Sequence, residues 1–260
     1  MVLDRAIHSF EAAASLYERS RPEYPAEAVD LLARVLGLHG GRTLLDLGAG
    51  TGKLTRLLVQ AFARVVAVEP APEMRRLLVH ACPEVEVLAA GAESIPVPDA
   101  SFDGVFAAEC FHVFDADAAV AEIARVLRPS GALVLLWNVP AGPTDPPIDA
   151  AEQLLRGRAP DGLGYDPVDL NTNRYASGAW RSAFTGAPFE AFREESLPNP
   201  QVLDREALVA FFSSMGWIGW TDGLPDDERV ALLDEVRTLL DDVEHRQTWE
   251  TRVHWTRRAH

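Results

Sequence analysis

The sequence predicts an α/β fold: a doubly wound, mostly parallel seven-stranded sheet carrying a helical cap. Three observations support that reading. Short apolar runs alternate with segments of helical period between residues 43 and 137, the rhythm of strand–helix units in a parallel sheet. The first run, at 44–47, leads through glycines 48, 50 and 52 into apolar residues at helical spacing, Leu54, Leu57, Leu58 and Phe62. The second run, at 64–68, ends in an acid, Glu69, where doubly wound sheets place a ribose-binding carboxylate.

A chain of 260 residues suits one such domain with an attached cap. The net charge of -15 argues against a nucleic-acid partner, which needs clustered cations for its phosphates. Lys53 is the sole lysine, so arginine carries nearly all the positive charge. Cys82 and Cys110 are too few for a disulfide framework. The seven histidines lack metal-ligand spacing, so no metal is expected. No charged leader with an apolar core opens the chain, and no apolar run reaches membrane-spanning length. The expectation is a soluble cytoplasmic protein with no membrane partner, a monomer or homodimer.

In chain order, an amphipathic helix runs through Phe10, Ala13, Ala14 and Tyr17. Pro22 and Pro25 then stop it and fix an extended turn, which reads most simply as a linker. A helix over 26–38 places Val29, Leu32, Val35 and Leu36 on one face, with Gly37, Gly40 and Gly41 around its end. The glycine-loop unit and the second strand follow. Pro70 and Pro72 open the next helix, where a missing N–H is tolerated, and Met74 on it reads first as core. Residues 85–88 form a third strand and 104–108 a fourth. Asp115 is an N-cap for a helix over 116–127, and 132–137 is a fifth, fully apolar strand. Residues 140–188 are rich in Pro, Gly and Asp, with one short helix near 149–156; a segment so long and irregular suggests part of a substrate cap. A sixth strand is expected over 189–203, and a helix capped by Asp204 runs through Phe212. A tryptophan-bearing loop covers 213–223, and a helix over 226–243 should bury Val230, Leu233, Val236, Leu240 and Val243. Residues 247–256 alternate with period two, an antiparallel edge strand.

The glycine loop narrows the ligand. A phosphate-binding P-loop needs Ser or Thr after Gly-Lys and a glycine five positions before it, but Leu54 and Leu47 stand there. A dinucleotide fingerprint needs a third glycine at position 53, which is lysine. What remains is D-x-G-x-G-x-G over 46–52, or a glycine-rich turn with no ligand.

That pattern resembles the first motif of class I S-adenosylmethionine-dependent methyltransferases. Residues 91–103 carry G-x-E-x-x-P-x-P-D-x-S-F-D, beginning at Gly91, similar to the type 11 branch, and 127–131 carry its L-R-P-x-G turn. The resemblance is strongest over 43–137 and reaches the trans-aconitate methyltransferase-like subset. It implies a Rossmann-like sheet of order 3-2-1-4-5-7-6. It implies a lid and cofactor core over 1–139, a cap over 140–188 and 204–245, and closing strands over 189–203 and 246–260.

The resemblance also implies a cofactor, S-adenosylmethionine, released as S-adenosylhomocysteine. The contacts it implies are Asp46, Gly48, Ala49, Gly50 and Gly52 in the loop, then Glu69 and Pro70, with Met74 as a second possibility beside its core role. Ala92 and Glu93 would hold adenine, because Gly91 stands where the family often has an adenine-binding Asp. Glu109 joins from the end of the fourth strand. The Y-x-x-x-R-P-x-Y-P stretch would fold over the methionine half, bringing Tyr17 and Arg21. His112 is the candidate base or substrate-orienting group, since its pKa suits neutral pH; bonding to backbone at a helix entry is the plainer reading. The reaction would methylate a small organic acceptor at O, N or carboxyl. Tyr165, Tyr175, Trp180, Trp217 and Trp220 would enclose it in the cap, although for each one singly filling the cap's own core is the plainer reading; Arg174 and Arg181 would be available to a carboxylate, with a surface role equally open. A nicotinamide-dependent oxidoreductase and a non-catalytic S-adenosylmethionine-binding protein stay open as alternatives.

Overall fold

The computed structural model describes residues 14, 17–37, 41–142, 145–159, 178–214 and 224–259. Its strands are β1 (Thr43–Leu47), β2 (Arg64–Val68), β3 (Glu86–Leu88), β4 (Phe102–Ala108), β5 (Leu127–Pro140), β6 (Arg193–Pro198), β7 (Gln201–Leu203), β8 (His245–Gln247) and β9 (Trp249–Arg257). Its helices are α1 (Ala26–Leu36), α2 (Lys53–Ala61), α3 (Pro72–Ala81), α4 (Ala116–Val126), α5 (Pro146–Arg158), α6 (Arg205–Ser214) and α7 (Asp226–Leu239). Residues 17–20 are also helical, and the described residues include two 3-10 helices, Phe111–Val113 and Ala179–Phe184. No described helix is long and apolar enough to cross a membrane.

Seven strands form one sheet in the order β3-β2-β1-β4-β5-β9-β6. The first five pair in parallel, and β9 runs antiparallel to both β5 and β6. This is the expected doubly wound sheet, with one correction. The last strand is not an edge: it lies inside the sheet, and β6 takes the edge. Its burial follows, since Thr251, Val253, His254, Trp255 and Thr256 are all buried.

Alternate residues of each strand serve opposite faces, as a pleated strand requires. Leu45, Val66, Val105 and Leu133 face one layer with Val120 and Ile123 of α4. Leu44, Val65, Phe106 and Val134 face the other, with Leu32 of α1 and Leu58 of α2. A third cluster joins α5, α6 and α7 through Ile148, Leu155, Leu208, Phe212, Leu232 and Val236.

Several boundaries differ from expectation. The fifth strand starts at Leu127 rather than 132, because the L-R-P-x-G turn sits inside the ladder as a register shift between Phe102 and Gly104. A Cβ at Gly131 would meet the Arg128 carbonyl at 2.8 Å, which explains the glycine. The expected sixth strand splits. The ladder with β9 runs to Pro198, the Asn199 N–H still donates to the Trp249 carbonyl at 2.7 Å, and past Pro200, which has no N–H to donate, β7 pairs instead with β8. The last helix ends at Leu239, and its buried face is Leu232, Val236 and the following Leu240; Val230 and Val243 are 56% and 57% exposed. Phe10 and Ala13 lie outside the described residues, as do Gly40, Tyr165, Arg174, Tyr175, Trp217 and Trp220.

Candidate active site

The glycine loop bends across the end of β2. The N–H groups of Gly48 and Ala49 both donate to the Val68 carbonyl, at 2.8 and 3.0 Å. All three glycines have positive φ: 68° at Gly48, 58° at Gly50 and 91° at Gly52. Two of them also answer to a close neighbour. A Cβ at Gly48 would strike Cys110 Sγ at 2.8 Å, and one at Gly52 would press on Leu78 Cγ at 3.2 Å. A Cβ at Gly50 would meet no atom within 4 Å. Gly50 lines a cleft over the carboxyl ends of the central strands.

Glu69 stands at the floor of that cleft, 7% exposed. Gly50 N–H donates to its Oε2 at 2.9 Å and Ala71 N–H to its Oε1 at 2.8 Å. These two bonds fix the plane of the carboxyl group. Burial raises its pKa, against the two N–H bonds and Arg75.

The cleft runs along the strand ends, and the space within it, open solvent included, is about 690 Å³. Gly48, Gly50, Val68, Glu69, Pro70, Ala71 and Met74 form its loop side, and Ala90, Gly91 and Ala92 one end. Ala108, Glu109, Cys110, Val113 and Phe114 form the β4 side, and Tyr17 closes over it. Met74 fills both roles considered for it: it lines the cleft and is 3% exposed among Ala14 and Ala71. Glu109 holds a backbone φ of 56°, rare for a non-glycine residue, and its Oε1 accepts the Asn138 N–H. Burial pushes its pKa up to about 7, against that N–H bond and Arg21. The Cys110 thiol donates to the Leu47 carbonyl at 3.1 Å, and burial pushes its pKa well up.

Other expected contacts stand back from the cleft wall. Asp46 is 1% exposed and accepts the Thr55 hydroxyl at 2.6 Å, tying β1 to α2. Burial raises its pKa to about 7; the Thr55 bond opposes and Glu69 adds. Ala49 packs on Ala67 and Leu78 behind the loop, where Gly52 also lies. Glu93 turns away to accept the Asp115 N–H at 3.0 Å, so it braces the start of α4. His112 sits on the 3-10 turn between buried Phe111 and lining Val113, and is not itself among the lining residues. Trp180 is no cap aromatic: it is 7% exposed and packs on Trp137, Phe111 and Phe192. Arg181 stacks on Trp180 and pairs with Glu194 at 2.7 Å, away from the cleft.

Residues 17–25 form a strap docked across this region. Lys53, 7% exposed at its side chain, pairs with Glu23, and Arg56 pairs with Glu18 at 3.0 Å. Behind it runs a polar network that the sequence reading missed. Asn199 Nδ2 donates to the Glu23 carbonyl at 2.7 Å and to Asn138 Oδ1 at 3.1 Å, and Thr251 donates to the same Oδ1 at 2.6 Å. A lone Asn ending the apolar fifth strand was the available signal. Glu109, through the Asn138 N–H, joins that network to the cleft.

A family model for a methyltransferase domain matches residues 45–135. An uncharacterized methyltransferase of Mycobacterium tuberculosis is 49% identical over 233 residues, 89% of this chain and 85% of that one. Among solved structures, a candidate type II methyltransferase from Anaeromyxobacter dehalogenans superposes with a TM-score of 0.66 at 24% identity, covering 92% of this chain and 99% of that one. The phosphoethanolamine N-methyltransferase 2 of Haemonchus contortus, solved with phosphomonomethylethanolamine and S-adenosylhomocysteine, gives 0.53 at 15% identity, covering 99% of this chain and 58% of that one.

Proposed function

The chain belongs to the methyltransferase-domain family, and from that premise we propose that it uses S-adenosylmethionine to methylate a small organic acceptor. The observation that carries this is the pairing of Gly50 with Glu69. A cleft-lining glycine with open space where a Cβ would stand lies beside a carboxyl group clamped by two N–H bonds. That is a cradle for a ligand lying against backbone, with a fixed acceptor for ribose hydroxyls. The bound S-adenosylhomocysteine of the Haemonchus protein supports the same cofactor here.

The residues present fit that group. Glu69 would hold the ribose, Gly50 would give room for close approach, and Ala92 with Met74 would meet the adenine. Tyr17 would cover the methionine end. Bound there, the cofactor supplies a methyl group already activated by its sulfonium. The chain's task is then to align an acceptor and exclude water. Apolar Val113 and Phe114 wall the β4 side, and the strap supplies the cover. His112, on the same turn, is the proposed orienting group for an acceptor. The nicotinamide alternative gains nothing from the loop, since Lys53 fills the third glycine's place and pairs with Glu23.

The test is calorimetry with S-adenosylhomocysteine, followed by labelled methyl transfer to a metabolite panel. Micromolar binding and one labelled small product are expected. No binding at millimolar ligand overturns the cofactor. Labelling of tRNA or protein, with no small molecule accepted, overturns the acceptor class.

A further inference from the structure

The core takes hold of Glu23 from two sides. Its carboxylate pairs with Lys53 and Arg56 of α2, the helix that follows the glycine loop. Its peptide is held by amide side chains from β5, from β7 and from the link before β7. Asn199 Nδ2 donates to the Glu23 carbonyl at 2.7 Å, and Asn138 Nδ2 reaches the same oxygen at 3.4 Å. The Glu23 N–H donates to Gln201 Oε1 at 3.4 Å. These amides bind the backbone of the strap whatever its side chain does.

The amides also orient one another. Asn138 Oδ1 accepts from Asn199 Nδ2 at 3.1 Å and from the Thr251 hydroxyl at 2.6 Å. Gln201 Nε2 donates to Asn199 Oδ1 at 2.8 Å. With its oxygen engaged by Gln201, Asn199 turns its N–H donors to the strap, and a peptide carbonyl is the group they fit. Asn138, Asn199 and Thr251 are all buried. A buried amide left unpaired costs more than a paired one gains. The site therefore favours the strap position that brings the Glu23 carbonyl to Asn199. Asn199 itself is not among the residues lining the cleft.

We propose that Asn199 is a positioning residue for the cofactor: by fixing the Glu23 peptide it sets Tyr17 over the methionine end. This rests on the cofactor reading above. The strap is short and stiff between the two points. Tyr17, which lines the cleft, opens the helical turn 17–20, and the Arg21 N–H closes that turn on the Tyr17 carbonyl at 3.0 Å. Pro22 then fixes a backbone angle beside Glu23. A shift of the Glu23 peptide is passed along this stretch to Tyr17 instead of being absorbed by a loose loop.

The experiment measures equilibrium binding of S-adenosylhomocysteine and 5′-methylthioadenosine for the wild type, Asn199→Asp and Gln201→Ala, at about pH 8, where an aspartate is ionised. 5′-Methylthioadenosine keeps the adenine and ribose and lacks the amino-acid end. Asn199→Asp keeps the side-chain shape, removes the donor and sets a carboxylate against the Glu23 carbonyl. It should lose about tenfold for S-adenosylhomocysteine and stay within about twofold for 5′-methylthioadenosine. Gln201→Ala, at a half-buried position, should lose about threefold in the same pattern. Amide exchange gives a second readout. Saturating S-adenosylhomocysteine should slow exchange over residues 17–25 more in the wild type than in Asn199→Asp, while exchange over β1 stays equal in the two. A merely structural role would weaken both compounds alike and quicken exchange in β1. Equal losses for the two compounds, no loss for either, or equal protection of the strap in wild type and variant overturn the proposal. If Asn199→Asp does not fold, Gln201→Ala decides by the same criteria. A wild type that binds neither compound overturns the cofactor reading instead, and this inference with it.

Discussion

The guanidinium carbon of Arg21 lies 5.4 Å from the ring centroid of Tyr17 and 5.6 Å from that of Phe211. Tyr17 belongs to the cleft, and Phe211 belongs to the helical cluster of α5, α6 and α7. One side chain thus joins the strap to the cap. Cation–π contacts are worth about 0.5–2 kcal/mol each. Arg21→Ala should speed amide exchange over residues 17–25 and weaken S-adenosylhomocysteine binding several-fold. Unaltered exchange over those residues would mean that the ion pairs at Lys53 and Arg56 hold the strap without Arg21.

The loop glycines should separate binding from stability. Gly50→Val puts a branched side chain into open cleft at a φ of 58°, costing about 1–2 kcal/mol of strain and abolishing cofactor binding. Gly48→Ala meets the same strain plus the Cys110 contact, and should lose more stability than Gly50→Ala. Urea melts of the three variants, beside calorimetry, check this. Wild-type affinity in Gly50→Val would remove the loop from the site.

Glu69→Ala should weaken cofactor affinity at least tenfold, because charge-assisted hydrogen bonds to the ribose are worth about 1.5–3 kcal/mol each. It should also destabilise the fold by about 1–3 kcal/mol, because the Gly50 and Ala71 N–H groups lose their acceptor. Glu69→Gln keeps an acceptor oxygen and should recover part of that stability. An unchanged dissociation constant in the alanine variant would take Glu69 out of the ribose site.

Asp46 gives a pH signature. Its folded pKa, about 7, lies above the ordinary aspartate value. Between the two, the folded chain holds a proton that the unfolded chain has released, so the Asp46 contribution is full at low pH and declines as pH rises through 7. Asp46→Asn should therefore gain stability relative to wild type between pH 4 and 8, by about 1 kcal/mol or more. Paired urea melts at the two pH values check the sign; an equal difference at both ends refutes it.

The sheet was legible in the sequence because its signals are local. Each parallel strand is a short apolar run beside a helix of clear period, and the loop spacing fixes where strand gives way to helix. What was not legible depends on partners far along the chain. Gly48 answers to Cys110 and Gly52 to Leu78. Glu93 was expected at adenine, but the Asp115 N–H, 22 residues away, claims it. Trp180 looks like a cap aromatic until Trp137 and Phe192 are seen around it. The split after Pro198 was readable, since two prolines flank Asn199, but a period-two pattern alone does not register missing donors.

The pairing of buried Lys53 with Glu23 has a practical consequence. This chain has one side-chain amine, and it sits beneath the strap. Acylating reagents such as succinimidyl esters would find that amine only while the strap is lifted. The rate of ε-acylation at Lys53 is then a stopwatch for strap opening, read by mass spectrometry on the native protein with no engineered label.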